Sequence, residues 1–131
     1  MTTVVKFHEV GGPEVLRVET TSVGDPGPGQ VRLKQGAVAL NFADTYFRSG
    51  LYPAPLPAGI GSEACGTVTA VGDGVTDFKV GDRVTYTGAL NTLGAYATER
   101  LISAAPLIRL PDNISFETAA AITMRGLTAA Y

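Results

Sequence analysis

Apolar and polar residues alternate from Val31 through Arg32, Leu33 and Lys34 to Gln35, the period of a half-buried strand, with Val31 and Leu33 turned inward. Val4 to Glu9 and Val15 to Thr20 read as two more short strands. Gly11-Gly12-Pro13 joins them, because Gly supplies the positive φ of a tight turn and Pro pre-sets the residue that follows. Gly24 to Gln30, GDPGPGQ, is a second turn. Farther on, Ala64 to Val71, Val75 to Tyr86, Ala95 to Ser103 and Leu107 to Leu110 carry strand texture, punctuated by Gly72-Asp73-Gly74 and Gly81-Asp82-Arg83. The pattern therefore predicts a mainly β domain of short strands.

The period changes twice. Between Asn41 and Arg48, Phe42, Thr45, Tyr46 and Ser49 follow helical spacing; Asn41 suits the N-cap and Asp44 the first turn, where its charge favours the positive end of the helix. Asn113 or Ser115 caps a second stretch, FETAAAITMRGLTAAY, with Glu117 near its start. Between these helices lies Leu51-Tyr52-Pro53-Ala54-Pro55-Leu56-Pro57. Its prolines lack N–H donors and restrict the residues before them, so an extended loop is expected there. The last stretch reaches Tyr131 with Gly126 inside it and no C-cap glycine or proline after it, and reads as one domain cut off inside a helix.

Composition narrows the function classes. An apolar fraction of 45% and a charged fraction of 17% are those of a globular chain with a real core. A net charge of -2 without any Lys/Arg block offers no footprint for nucleic acid or an anionic membrane. Cys65 is the only cysteine, so no intramolecular disulfide can form, and a reducing cytoplasm is expected. No segment has the length of a membrane span or a signal-peptide core.

Five blocks occur in one order: FHEVGGPEVLRV (Phe7 to Val18), NFADTYFRSGLYP (Asn41 to Pro53), GSEACGTVTAVGDGVTDFKVGDRV (Gly61 to Val84), GAYATE (Gly94 to Glu99) and MRGLTAAY (Met124 to Tyr131). Together they resemble the opening domain of quinone oxidoreductases, the zinc-free branch of the medium-chain dehydrogenase/reductase family. The resemblance implies a GroES-like, partly open antiparallel β-barrel with short helices, followed in full-length members by a Rossmann domain that this chain lacks. It also implies a cytoplasmic homodimer that passes hydride or single electrons from NADPH to a quinone or related acceptor. Gly27-Pro28-Gly29 and Gly72-Asp73-Gly74 both fail to complete G-x-G-x-x-G, so the phosphate cradle is expected outside these residues and the chain alone is expected to be inactive. A non-catalytic GroES-like binding module stands as the alternative, because a fold does not fix a function.

Zinc-dependent members carry Cys and His where this sequence has Asn41 and Ser62. A catalytic zinc needs three protein ligands, and the one His, His8, sits in the first predicted strand, so no metal site is expected. The resemblance implies a cofactor-side role for Asn41, Tyr46, Arg48 and Thr128, beside the nicotinamide end of NADPH. Tyr52, a large aromatic in the proline-rich loop, is the expected substrate-side residue, with Tyr46 as second phenol, either able to polarise a quinone oxygen. Each has a plainer reading: helix cap for Asn41, cleft-wall aromatic for Tyr46, helix-end cation for Arg48, ordinary helical threonine for Thr128. Glu63 is expected to be a structural carboxylate, Cys65 an inert core thiol, and His8 a surface residue.

Overall fold

In the computed structural model, which describes residues 1–88 and 90–131, the long strand β3 (Gln30–Ala39) is the spine. It pairs antiparallel with β5 (Glu63–Val71) on one side and β7 (Glu99–Ser103) on the other. Beyond β5 lie β6 (Arg83–Thr87) and then β8 (Ile108–Arg109). A smaller sheet sets β1 (Thr2–Phe7) between β2 (Leu16–Thr21) and β4 (Ala58–Gly59). The isolated bridge Val4 to Ala97 ties the small sheet to the segment that leads into β7. Closure is therefore partial, and the architecture is the partly open antiparallel barrel that the resemblance implied.

The inward alternation of β3 holds: Val31 and Leu33 are fully buried and pack with Ala64, Val68, Val84, Tyr86 and Ile102. A second cluster, Phe7, Val15, Phe47, Ala58 and Ile60, fills the space between the small sheet and α1 (Asp44–Ser49). The third seats α2 (Phe116–Ala130) on the barrel through Ala39, Cys65, Leu110, Ala119 and Ala120. Small residues there let the helix lie close to the sheet. Cys65 is fully buried and hydrogen-bonded to carbonyl oxygens of Phe116 and Ala37; burial, above all, pushes its thiol up to about 11. A thiol raised this far holds little of the reactive thiolate near neutral pH.

Several expected boundaries shift. The turn expected at Gly81-Asp82-Arg83 falls at Lys79 to Asp82, closed by the Asp82 carboxylate on the Lys79 N–H at 3.0 Å, and the strand after it runs over Arg83–Thr87. The strand expected from Ala95 begins only at Glu99. Gly94 to Thr98 instead cross between the two sheets, with Tyr96 O accepting from Val5 N and Thr98 N donating to Thr3 O. Ser115, not Asn113, caps α2 by accepting the Thr118 N–H at 3.1 Å. His8 is half-exposed as expected, and it has a partner, Glu19, at 2.6 Å across the β1–β2 hairpin.

Candidate functional site

The first expectation to be corrected is the cap of α1. Its N-cap position is Ala43, with no side-chain cap bond, although Asn41 O accepts the Asp44 N–H at 3.0 Å. The Asn41 side chain turns away from the helix, and its Nδ2 donates to Glu63 Oε1 at 2.8 Å. A buried carboxylate outcompetes the helix end because a charge-assisted bond in an apolar surround is stronger than a solvent-facing cap.

Glu63 opens β5 and is fully buried. Its Oε2 accepts the Met124 backbone N–H at 2.6 Å, so one carboxylate joins the loop before α1 to the middle of α2. Both oxygens accept hydrogen bonds, the satisfied state a buried carboxylate requires. Among the described residues no basic side chain forms an ion pair with it. The expected structural role thus takes a definite form: backbone and amide donors rather than a cation.

Asp44 supports the same loop from below. It is 3% exposed; its Oδ2 accepts from the Asn41 N–H at 3.0 Å and from the Tyr96 hydroxyl at 2.5 Å, while Oδ1 is buried without a partner. Burial raises the Tyr96 phenol above its ordinary value, and the bond to Asp44 and that residue's charge add to the shift. Tyr96 can reach Asp44 because Gly61 has φ +90° and no Cβ, which would otherwise run into the Tyr96 ring. Tyr96 and Gly61 lie in two of the sequence blocks, GAYATE and GSEACG, but no local signal tied either to Asp44.

Above this polar floor stands a cluster of rings. Tyr46 meets Phe42 edge-on at 5.5 Å and Tyr52 at 5.2 Å, and Tyr52 meets Phe47 at 5.5 Å. Such edge-to-face pairs place the positive rim of one ring on the negative face of the next. Phe47 is buried and Tyr46 half-buried, while Phe42 and Tyr52 are exposed. Tyr52 is held by this stacking and by its N–H on Tyr46 O at 3.0 Å, more directly than by the neighbouring prolines. Neither the Tyr46 nor the Tyr52 hydroxyl makes a hydrogen bond among the described residues. With Leu40 and Leu51 also largely exposed, the rim offers an apolar, aromatic wall bearing two unengaged phenols, suited to a planar ring with polar edges.

Two candidate residues lie differently. Arg48 Nε donates to Gly11 O at 3.2 Å and Arg48 O accepts the Gly11 N–H at 3.0 Å, so this residue first ties α1 to the β1–β2 connection; among the described residues its Nη nitrogens make no hydrogen bond. Thr128 is exposed near the end of α2, its hydroxyl donating back to Met124 O at 2.9 Å. Thr128 and Glu63 therefore address the same residue, Met124, at its carbonyl and its N–H. Tyr46 and Tyr52 come together through their rings, while the Asn41 side chain turns to Glu63 and that of Arg48 to Gly11. The hollow between β1 and β7, lined by Lys6, Thr21, Gly59 and Arg100, contains none of these side chains. Among the described residues no group of three or more His, Cys, Asp or Glu side chains gathers as a metal site, and no helix is long and apolar enough to cross a membrane.

Residues 27–112 match the model of the alcohol dehydrogenase GroES-like domain. A quinone oxidoreductase of Pseudomonas aeruginosa is 52% identical over 128 residues, 97% of this chain and 39% of that protein. The crystal structure of the Pseudomonas syringae quinone oxidoreductase superposes with a TM-score of 0.94 at 51% identity, covering 100% of this chain and 40% of that one. The Escherichia coli quinone oxidoreductase complexed with NADPH gives 0.92 at 48% identity, over 98% of this chain and 39% of that one. The chain thus spans about 40% of the length of the curated relatives it matches. By sequence match and fold alike, the chain belongs to the alcohol dehydrogenase GroES-like domain family and is similar to the N-terminal domain of quinone oxidoreductases.

Proposed function

We propose that this domain forms the substrate-side wall of an NADPH-dependent quinone reductase that works without zinc. The observation that carries the reading is the ring cluster itself: two phenols, Tyr46 and Tyr52, with no hydrogen bond among the described residues, on a partly exposed aromatic wall. The named relatives supply the choice of quinone and NADPH. A bound NADPH would supply a hydride equivalent at its nicotinamide ring. The chain's own residues would orient and exclude water: Phe42 and Tyr46 by stacking, Asn41 by a hydrogen bond, with Thr128 and the unbonded Nη groups of Arg48 on the cofactor side. Tyr52 would donate its phenolic proton in a hydrogen bond to a quinone oxygen as negative charge grows there, and Tyr46 would stand as second donor.

The zinc-free part of the reading rests on donor chemistry. Asn41 and Ser62 occupy the places of the zinc branch's Cys and His. The Asn41 amide nitrogen is already engaged by Glu63 and Ser62 is only 2% exposed, so neither offers the soft or imidazole ligand that zinc prefers. The protein carrying this domain is proposed to be a cytoplasmic homodimer that needs neither nucleic acid nor membrane. The phosphate cradle is assigned outside these residues, so the 131-residue chain alone should not turn over.

The test is oxidation of NADPH by the full-length protein with 1,4-benzoquinone as acceptor, beside elemental analysis of untagged protein. Turnover with less than one zinc per chain is expected. A tightly held stoichiometric zinc, or no turnover with quinone, would overturn the reading.

A further inference from the structure

Asn41 is fixed at both ends by buried carboxylates. Asp44 holds its backbone N–H at 3.0 Å and Glu63 its side-chain Nδ2 at 2.8 Å. The two carboxylates are 3% and 0% exposed, so neither anchor is a mobile surface group. An amide is planar, with its oxygen and nitrogen pointing about 120° apart from the same carbon. Anchoring the nitrogen on Glu63 therefore points Oδ1 away from that carboxylate, and among the described residues Oδ1 makes no hydrogen bond.

The direction of that amide is not a free choice. Glu63 Oε2 is committed to the Met124 backbone N–H at 2.6 Å, a donor that cannot be reversed. With Glu63 as a carboxylate both oxygens accept, so the group facing Oε1 is a donor and Asn41 presents its NH2 there. We propose that Glu63 is a positioning residue that sets the polarity of Asn41, so that this point of the rim offers an acceptor and selects a ligand bearing an N–H donor. Resting on the function proposed above, that donor is the carboxamide NH2 of the nicotinamide.

Substitution at Glu63 should invert the selection. In Glu63→Gln the carbonyl oxygen must still serve Met124 N–H, so the new amide NH2 faces Asn41. Asn41 then has to turn its oxygen inward and its NH2 outward, exchanging an acceptor for a donor. The combined change Glu63→Gln with Asn41→Asp restores an outward acceptor, because a carboxylate can accept from the inner NH2 and still present an oxygen. It also conserves the net charge.

The probe is a pair of cofactors, NADPH and its reduced 3-acetylpyridine analogue, in which a methyl group replaces the carboxamide NH2 while the carbonyl stays. Dissociation constants for the full-length protein, measured by titrating cofactor fluorescence without acceptor, give a ratio that general weakening of the fold leaves unchanged. The wild type should prefer NADPH by on the order of tenfold, Glu63→Gln should lose most of that preference, and the double variant should regain it. The apo protein supplies a second reading: the Asn41 side-chain NH2 should exchange slowly with solvent in the wild type and rapidly in Glu63→Gln.

Equal binding of the two cofactors by the wild type overturns the proposal and requires no variant. So does a preference that Glu63→Gln leaves intact, or one that the double variant fails to restore while folding normally. Failure to bind either cofactor contradicts the NADPH reading instead, and a fast-exchanging wild-type Asn41 amide then shows that the Glu63 anchor has failed as well.

Discussion

Tyr86 in β6 and Tyr52 in the loop after α1 illustrate how differently the barrel interior and its surface use the same side chain. Tyr86 is fully buried in the main core and its hydroxyl is consumed, donating to Gln35 Oε1 at 2.9 Å and accepting from Arg100 at 3.3 Å. Burial holds that phenol above its ordinary value. Tyr52 is 46% exposed, is held by ring edges and a backbone bond, and has its hydroxyl unengaged. A buried hydroxyl must be satisfied by the protein, whereas an exposed one without a partner among the described residues is open to solvent or a ligand.

The strongest way to break the comparison is to damage the interior. Leu33→Ala, at a fully buried position in the main cluster, should cost about 2 to 5 kcal/mol of stability in denaturant unfolding. A loss below 1 kcal/mol would mean that the barrel is not packed as described. Tyr96→Phe should cost less, about 1 to 3 kcal/mol, since it removes the hydroxyl that serves Asp44 Oδ2 and leaves a buried carboxylate with fewer donors. Thermal unfolding of that variant beside Tyr52→Phe sharpens the contrast. Tyr52→Phe removes a hydroxyl with no protein partner and should leave the melting temperature within about a degree of wild type, a shift worth only tenths of a kcal/mol.

Cys65 separates interior from rim by chemistry. With its thiol buried and raised to about 11, it should resist iodoacetamide at pH 8 in the native state and react readily in denaturant. Fast native alkylation would contradict the seating of α2 on the barrel. The smallest effect belongs to the Asp82 turn. The Lys79 N–H bond, the Lys79 ammonium and Arg109 hold its carboxyl down at about 2. A carboxylate with a depressed folded value stabilises fully above its unfolded value, near pH 4, and loses that contribution as pH falls through about 2. Asp82→Asn should therefore be slightly less stable than wild type at pH 7, with the difference shrinking as the pH is lowered towards 2. A difference that persists in acid would assign the effect to something other than charge.

The sequence made the strands legible where one face is core, as at Val31 and Leu33, because a period of two survives in a single chain without any partner in view. β4, only Ala58–Gly59, was invisible: two residues beside a run of prolines carry no period, and only pairing with β1 defines them. Asn41 shows the limit most clearly. Its identity suited a helix cap, yet the residue that claims its side chain is 22 positions away. Tyr96 and Asp44, 52 positions apart, form the other half of the floor. The rim phenols were picked out by loop position and resemblance; the buried carboxylates that hold the rim became legible only once the barrel brought β5, α1 and α2 together.

Participation of a phenol from the ring cluster in quinone reduction is read from kcat/KM for 1,4-benzoquinone in full-length wild type, Tyr52→Phe and Tyr46→Phe, each with its melting temperature. The account predicts that Tyr52→Phe loses about 1 to 3 kcal/mol of transition-state stabilisation, on the order of tenfold to a hundredfold in rate, with unfolding unchanged. Unchanged kcat/KM in both variants would contradict it and leave the rings as a stacking wall alone.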